Sequence, residues 1–206
     1  MVYLATPSPL EGEIRNPSVM LRELNEKRYQ GFYGYNVQSQ LTPDGYTLLN
    51  NVKPHRFILV TDDDKQDIVC AVTLYNLSCS INDHNPCVQP CFWRFDGVGH
   101  DDAISWFGQY VIDEILKKYT LVIPDNEDFA KGHRFWESRL ALALTEMGIA
   151  VYAPEGGEHD KRIFCRRLRS LYDFFPLWVE FYHDAVKASY SGRLFIISRH
   201  QATERR

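Results

Sequence analysis

The stretch that decides the fold is CFWRFDGVGHDDAISWFGQYVIDEILKKYTLVIPDNEDFAKGHRFWESRLALALTEMGIAVYA, residues 91–153. Three short apolar runs in it are typical of strands. They are residues 91–95, 120–124 and 149–153. Between them, apolar residues recur every three to four positions, which predicts helices over 101–118 and 136–147. Alternation of strands and helices favours crossover connections and locally parallel strands.

The flanking sequence predicts further elements of both kinds. They are a helix over 17–29, strands over 35–41, 45–52, 56–60 and 67–77, a loop over 78–90, a basic amphipathic helix over 161–175 and a strand over 193–198. The runs at 56–60 and 67–77 flank a short acidic turn, which indicates an antiparallel hairpin. We therefore expect a single α/β (α+β) domain over 1–206, with a mixed central sheet and helices on both faces.

Composition narrows the class of protein. The chain has 206 residues, of which 45% are hydrophobic, and its formal net charge is −4. That apolar fraction is enough for a core and too high for a disordered chain. We expect no export signal, because no basic stretch precedes a long apolar run, and no membrane span. The five cysteines, an odd number, predict reduced thiols in a cytoplasmic protein.

The candidate metal ligands are three cysteines and one histidine that lie close together in the sequence. They are Cys79, His84, Cys87 and Cys91. Thiolate and imidazole are ligands that zinc prefers, but zinc-binding pairs are usually separated by a longer span. Cysteine is also a common buried apolar residue. We therefore predict no metal and keep zinc as the alternative. P-loop, G-x-S-x-G and H-E-x-x-H motifs are absent from the sequence.

The candidate phosphate site is the glycine-rich turn that precedes the 101–118 helix. It consists of Gly97, Val98, Gly99 and His100. Such a turn exposes the first backbone N–H groups of a helix, where the positive end of the helix dipole attracts phosphate. Asp101 and Asp102 favour the alternative, a tight turn with an acidic helix cap.

The order of the predicted elements, and several residues within them, resemble those of a known protein superfamily. The sequence predicts a hairpin, then a strand, a G-x-G turn and a helix. The next segment, TLVIPDNEDFAKGHRFWESRLALALTEMGIAVY, contains further residues that match the same superfamily. These are Asn126, Ala130, Gly132, Phe135, Trp136, Met147, Gly148 and Ile149. In this order the chain resembles the GNAT superfamily of N-acetyltransferases, and also GNAT-like proteins of phages and mobile elements, including the Mom DNA-modification type.

The resemblance implies a GNAT-like domain, a cofactor and a reaction. The turn would hold the pyrophosphate of acetyl-CoA, with Arg94 at the R-x-x-G-x-G spacing, and Asn126 and Trp136 would belong to the same cofactor site. An acyltransferase needs a base for the acceptor amine and an acid for the leaving sulfur. Asp125 and Glu127 are the candidate bases and Tyr152 is the candidate proton donor. The alternatives are solvated loop carboxylates and a core tyrosine.

The second functional hypothesis is a non-catalytic protein that keeps this architecture. It would be a small effector of a phage or mobile element that binds a host protein or a nucleic acid. Arg166, Arg167 and Arg169 lie on the predicted basic helix, where they form a candidate stripe for nucleic-acid phosphates. The alternative is an exposed helix face that offsets the acidic remainder of the chain.

Overall fold

The computed structural model describes residues 2–5, 17–38, 42–52, 55–81, 85–95, 99–124, 129–154, 162–186 and 194–199. Within these residues the chain forms four helices and ten strands. The helices are α1 (Pro17–Tyr29), α2 (Asp101–Leu116), α3 (Phe129–Thr145) and α4 (Leu171–Val186). The strands are β1 (Val2–Ala5), β2 (Asn36–Gln38), β3 (Tyr46–Val52), β4 (His55–Thr61), β5 (Ile68–Ile81), β6 (Asn85–Arg94), β7 (Thr120–Pro124), β8 (Ala150–Pro154), β9 (Arg162–Leu168) and β10 (Leu194–Ser198). The fold is therefore α/β (α+β), as predicted.

The strands are hydrogen-bonded in the order β1-β9-β8-β10-β7-β6-β5-β4-β3-β2. β6 and β7 are parallel, with Cys87 opposite Thr120. β10 is antiparallel to both β7 and β8, between which it lies. The remaining neighbours whose register is described are antiparallel, so the sheet is mixed.

The chain packs as two compact units. Unit 1 consists of Met1–Ser8, Asn76–Gln89 and Ile115–Arg206, and unit 2 consists of Pro9–Tyr75 and Pro90–Glu114. Among the described residues, no helix is both long and apolar enough to cross a membrane.

In unit 2, α1 packs on one face of the strands. Met20 and Leu24 of α1 are buried in one cluster with Ile58 and Val60 of β4. Because side chains alternate along a strand, the neighbouring Leu59 lies on the opposite face, and it is also fully buried. Burial of both faces explains why β4 is a continuous apolar run.

A buried arginine also lies on the α1 face of unit 2. Arg56 donates from Nε to Thr73 Oγ1 over 3.0 Å and from Nη1 to Glu23 Oε1 of α1 over 2.8 Å. This ion pair links the helix to the strands.

In unit 1 the two faces of the strands carry separate apolar clusters. On one face Cys87, Val122, Ala150, Tyr152, Cys165 and Ile196 form a buried cluster. On the other, Phe195 of β10 packs against Phe174 and Trp178 of α4, with ring centroids 5.9 and 5.6 Å away. α3 contacts both α4 and β8.

Most of the predicted elements are confirmed. α1 has the predicted bounds, and the 56–60 and 67–77 runs form the antiparallel pair of β4 and β5. α2, β7, β8 and β10 lie within two residues of their predicted bounds. The locally parallel pairing is confirmed between β6 and β7.

Three predictions of secondary structure were wrong. The helix expected over 136–147 begins seven residues earlier, since α3 spans Phe129–Thr145. Residues 78–90 were expected to form a loop, but β5 continues to Ile81 and β6 begins at Asn85. The polar composition hid the alternation of Leu77, Cys79 and Ile81, which is the period of a strand. The predicted helix over 161–175 is instead the strand β9 followed by α4, because pairing with β1 and β8 outweighs the helical spacing of apolar residues in this segment.

Candidate functional site

The candidate site lies in unit 2, where β6 leads into α2. After Arg94, the backbone N–H of Phe95 still donates to the Val69 carbonyl of β5 over 3.0 Å. Gly99 has a φ of 84°, a left-handed conformation that glycine adopts without steric cost. α2 then begins, with its first backbone hydrogen bond from Ile104 N–H to the His100 carbonyl over 2.9 Å. Gly97 and Val98 lie outside the described residues.

The first turn of α2 presents open backbone donors. In the part of the chain that the structure describes, the N–H groups of Asp102 and Ala103 have no hydrogen-bond acceptor. These groups carry the partial positive charge of the helix dipole. An anion is the chemical partner that such a pair of amides favours.

Arg94 precedes this turn, and its guanidinium is already paired. Nη2 of Arg94 donates to Oδ1 of Asp101 over 2.6 Å, and both side chains are solvent-exposed. The Asp101 carboxylate is therefore bound to the Arg94 guanidinium, the group with which a phosphate ligand would also pair. An exposed ion pair contributes about 1 kcal/mol or less, so a multiply charged ligand competes with it readily.

His100 is held by a tyrosine that the sequence analysis missed. The Tyr46 hydroxyl and His100 Nδ1 are 2.7 Å apart, and the two rings meet edge-to-face with centroids separated by 5.6 Å. Tyr46 opens β3 directly after Gly45, far from His100 in the chain. No local sequence pattern links the two, because the contact depends on how β3 and α2 come together in unit 2.

The other predicted site residues lie in unit 1 or outside the described residues. Tyr152 is buried in the Cys87 cluster, and Trp136 is buried on α3. Asp125, Asn126 and Glu127 lie outside the described residues. The structure therefore brings together Arg94, Gly99 and His100, and it adds Tyr46 to them.

The candidate metal ligands are only partly described. Cys87 is fully buried among apolar residues of unit 1, and Cys91 packs against the α1 core of unit 2. His84 and the side chain of Cys79 lie outside the described residues. Elsewhere in the described residues, no group of three or more His, Cys, Asp or Glu side chains is placed to hold a metal ion.

The three arginines predicted on a basic helix have a different placement. Arg166 and Arg167 lie on β9 and Arg169 follows it, and all three are exposed. Arg166 pairs with Ala153 and Arg167 with Tyr152, so consecutive side chains point to opposite faces of the strand. The predicted helical stripe is thus wrong. None of the three guanidinium groups forms a salt bridge among the described residues, although Arg166 interacts electrostatically with Asp173.

We compared the chain with protein-family models, with curated proteins and with solved structures, and none of them matches.

Proposed function

We propose that the protein is an N-acyltransferase that uses acetyl-CoA, with the cofactor pyrophosphate bound at the start of α2. The observation that carries this proposal is the start of α2 just after the left-handed Gly99, where the N–H groups of Asp102 and Ala103 have no acceptor among the described residues. A pyrophosphate matches them in charge and in its many acceptor oxygens. Arg94 supplies a guanidinium beside the same turn.

The turn lies in the connection from β6 through α2 to β7, and the topology of this connection supports the proposal. β6 and β7 are parallel and are joined through α2. In sheets with parallel strands, ligands bind beyond the carboxyl ends of the strands, where loops lead into helices. The order of strand, turn, helix and strand is the part of the GNAT resemblance that this connection supports.

The proposed reaction requires two proton transfers. The acceptor amine attacks the thioester carbonyl, the bond from carbonyl carbon to sulfur breaks, and the products are an amide and the free thiol of CoA. A base takes the proton of the amine and an acid protonates the sulfur. We assign the first role to Asp125 or Glu127 on the basis of the family resemblance. The resemblance implies Tyr152 for the second role, but Tyr152 is buried in an apolar cluster of unit 1, so we do not assign the acid to it.

The Arg94–Asp101 ion pair gives the proposal a specific test. If a phosphate replaces the Asp101 carboxylate on Arg94, Asp101→Asn removes a competitor and Arg94→Ala removes a ligand. Titration calorimetry with acetyl-CoA should then show about tenfold tighter binding for Asp101→Asn and about tenfold weaker binding for Arg94→Ala. Gly99→Val should also weaken binding, because valine disfavours a positive φ.

Matched controls come from exposed residues of unit 2. Arg22→Ala removes an exposed arginine of α1, and Asp44→Asn neutralises an exposed carboxylate of a turn. Both variants should bind acetyl-CoA as the wild type does. Absence of binding at about 1 mM acetyl-CoA, in the wild type and in Asp101→Asn alike, would refute the proposal.

A different observation favours a second function: three arginines, at 166, 167 and 169, are exposed near the end of β9. In this alternative the protein is a non-catalytic effector of a phage or mobile element that binds a nucleic acid or a host protein. A gel-retardation assay with DNA and RNA at about 50 and 200 mM salt tests the nucleic-acid form. Binding should weaken at the higher salt and in the triple alanine variant, and unchanged mobility would exclude it.

Both functions belong in the cytoplasm in our proposal. The four cysteines whose side chains are described, Cys70, Cys87, Cys91 and Cys165, form no disulfide. Cysteines that form no disulfide fit a reducing compartment.

A further inference from the structure

Helix α4 carries two apolar faces, and only one of them is buried in unit 1. Phe174 and Trp178 pack against Phe195 of β10. On the other side, Tyr172 is 92% exposed, Val179 52% and Phe175 43%. A surface helix normally has polar side chains on its outer face, so an apolar outer face indicates a binding surface.

The spacing of this outer face is symmetric. Its members are Tyr172, Phe175, Pro176 and Val179, all exposed, at positions i, i+3, i+4 and i+7 of α4. Residues at this spacing form one stripe along a helix. A two-fold axis between Phe175 and Pro176, perpendicular to the helix, exchanges Tyr172 with Val179. Every apolar residue of the stripe then meets another apolar residue of the stripe.

We propose that this stripe is the interface of a homodimer in which the α4 helices of two copies pack antiparallel. A two-fold interface needs a surface that is complementary to itself, and the symmetric spacing provides it. The proposal is independent of acetyl-CoA binding, which concerns unit 2.

Charge along α4 agrees with the antiparallel arrangement. Arg169 is exposed just before the start of α4, and Glu180 is exposed towards its other end. The same two-fold axis places Glu180 of one copy opposite Leu171 of the other, two residues from Arg169. Opposite charges therefore meet at both ends of the interface, whereas a parallel arrangement would bring like charges together.

Two further apolar residues extend the surface at one end of unit 1. Leu168, the last residue of β9, pairs with Val151 at the start of β8, so α3 ends and α4 begins at the same end of the strands. Leu142, near the end of α3, and Met147, just after it, are both exposed there.

Sedimentation equilibrium over a range of protein concentrations tests the proposal. The wild type should show a reversible monomer–dimer equilibrium, and Val179→Asp should raise the dissociation constant at least about tenfold. Val52→Asp is the matched control, because Val52 is an exposed valine of unit 2, and it should dimerise as the wild type does. A wild type that stays monomeric at all concentrations refutes the proposal and leaves the stripe to a different protein partner.

A charge exchange tests the antiparallel arrangement. Arg169→Glu and Glu180→Arg should each weaken the dimer several-fold, and the double variant should restore it, because the two charges meet across the axis. The capping of α4 survives Arg169→Glu, since Asp173 accepts its hydrogen bond from the backbone N–H of residue 169. A double variant that is weaker than both single variants would exclude this arrangement.

Discussion

Removing Glu23 should destabilise unit 2 through the arginine that it neutralises. Arg56 is only 3% exposed, and its guanidinium bonds to Glu23 and Thr73. Burial by itself lowers the pKa of Arg56, but the hydrogen bond to Glu23, the Glu23 charge and the interaction with Tyr35 outweigh it and raise the pKa. The guanidinium therefore stays charged, and Glu23→Ala leaves that charge in the interior with fewer partners.

The magnitude follows from how far the pair is buried. Breaking a fully buried ion pair costs about 3–5 kcal/mol, whereas exposed pairs contribute about 1 kcal/mol or less. Here the Arg56 side chain is buried but that of Glu23 is 44% exposed, so water reaches one side of the pair. We therefore expect Glu23→Ala to lower the free energy of unfolding by about 2 kcal/mol.

Urea denaturation followed by circular dichroism measures this loss as a lower midpoint at an unchanged slope. Glu26→Ala, an exposed change in the same helix, is the control and should cost less than about 0.5 kcal/mol. The double variant Glu23→Ala with Arg56→Met should be more stable than Glu23→Ala alone, because the unpaired buried charge is gone. If Glu23→Ala costs no more than Glu26→Ala, or if the double variant is the less stable of the two, the reasoning is wrong.

Three further predictions concern single residues. The backbone N–H of Arg169 and the Ser170 hydroxyl lower the pKa of Asp173 below its ordinary 3.8. Asp173→Ala should therefore lower the Tm near neutral pH. This difference in Tm should disappear as the pH falls through the lower pKa that Asp173 has in the folded state. Pro176 lies inside α4 without an N–H for the Tyr172 carbonyl, and Pro176→Ala should therefore raise the free energy of unfolding by up to about 3 kcal/mol in urea denaturation. Burial raises the pKa of the Cys70 thiol, so mass spectrometry after iodoacetamide treatment should find Cys70 alkylated only once the protein is unfolded.

Sequence periodicity predicted the elements in which one local signal dominates. α1 begins at Pro17, which suits a first helical turn, and β4 is a run of apolar residues that no helix signal contradicts. β9 failed because its apolar residues Ile163, Phe164 and Leu168 also fit a helix, and only pairing with β1 and β8 selects the strand. β1 was missed for a related reason, since a four-residue strand is too short to show a period.

The sequence predicted where the candidate site lies, but not which side chains contact each other there. The glycine-rich turn and the start of α2 could be located from the sequence, since both follow from residues next to each other in the chain. The partners of Arg94 and His100 could not. Asp101 was expected as a cap, not as an ion pair for Arg94, and Tyr46 reaches His100 across 54 positions of sequence.

The position of β10 has a consequence for how the protein is made. β10 lies between β7 and β8, although the ribosome produces it after both. Until Leu194–Ser198 emerges, β7 and β8 each have one side without a partner, and such edges readily pair with strands of other chains. A nascent chain stalled before β10, or one cut there by a protease, is therefore expected to aggregate or to recruit chaperones.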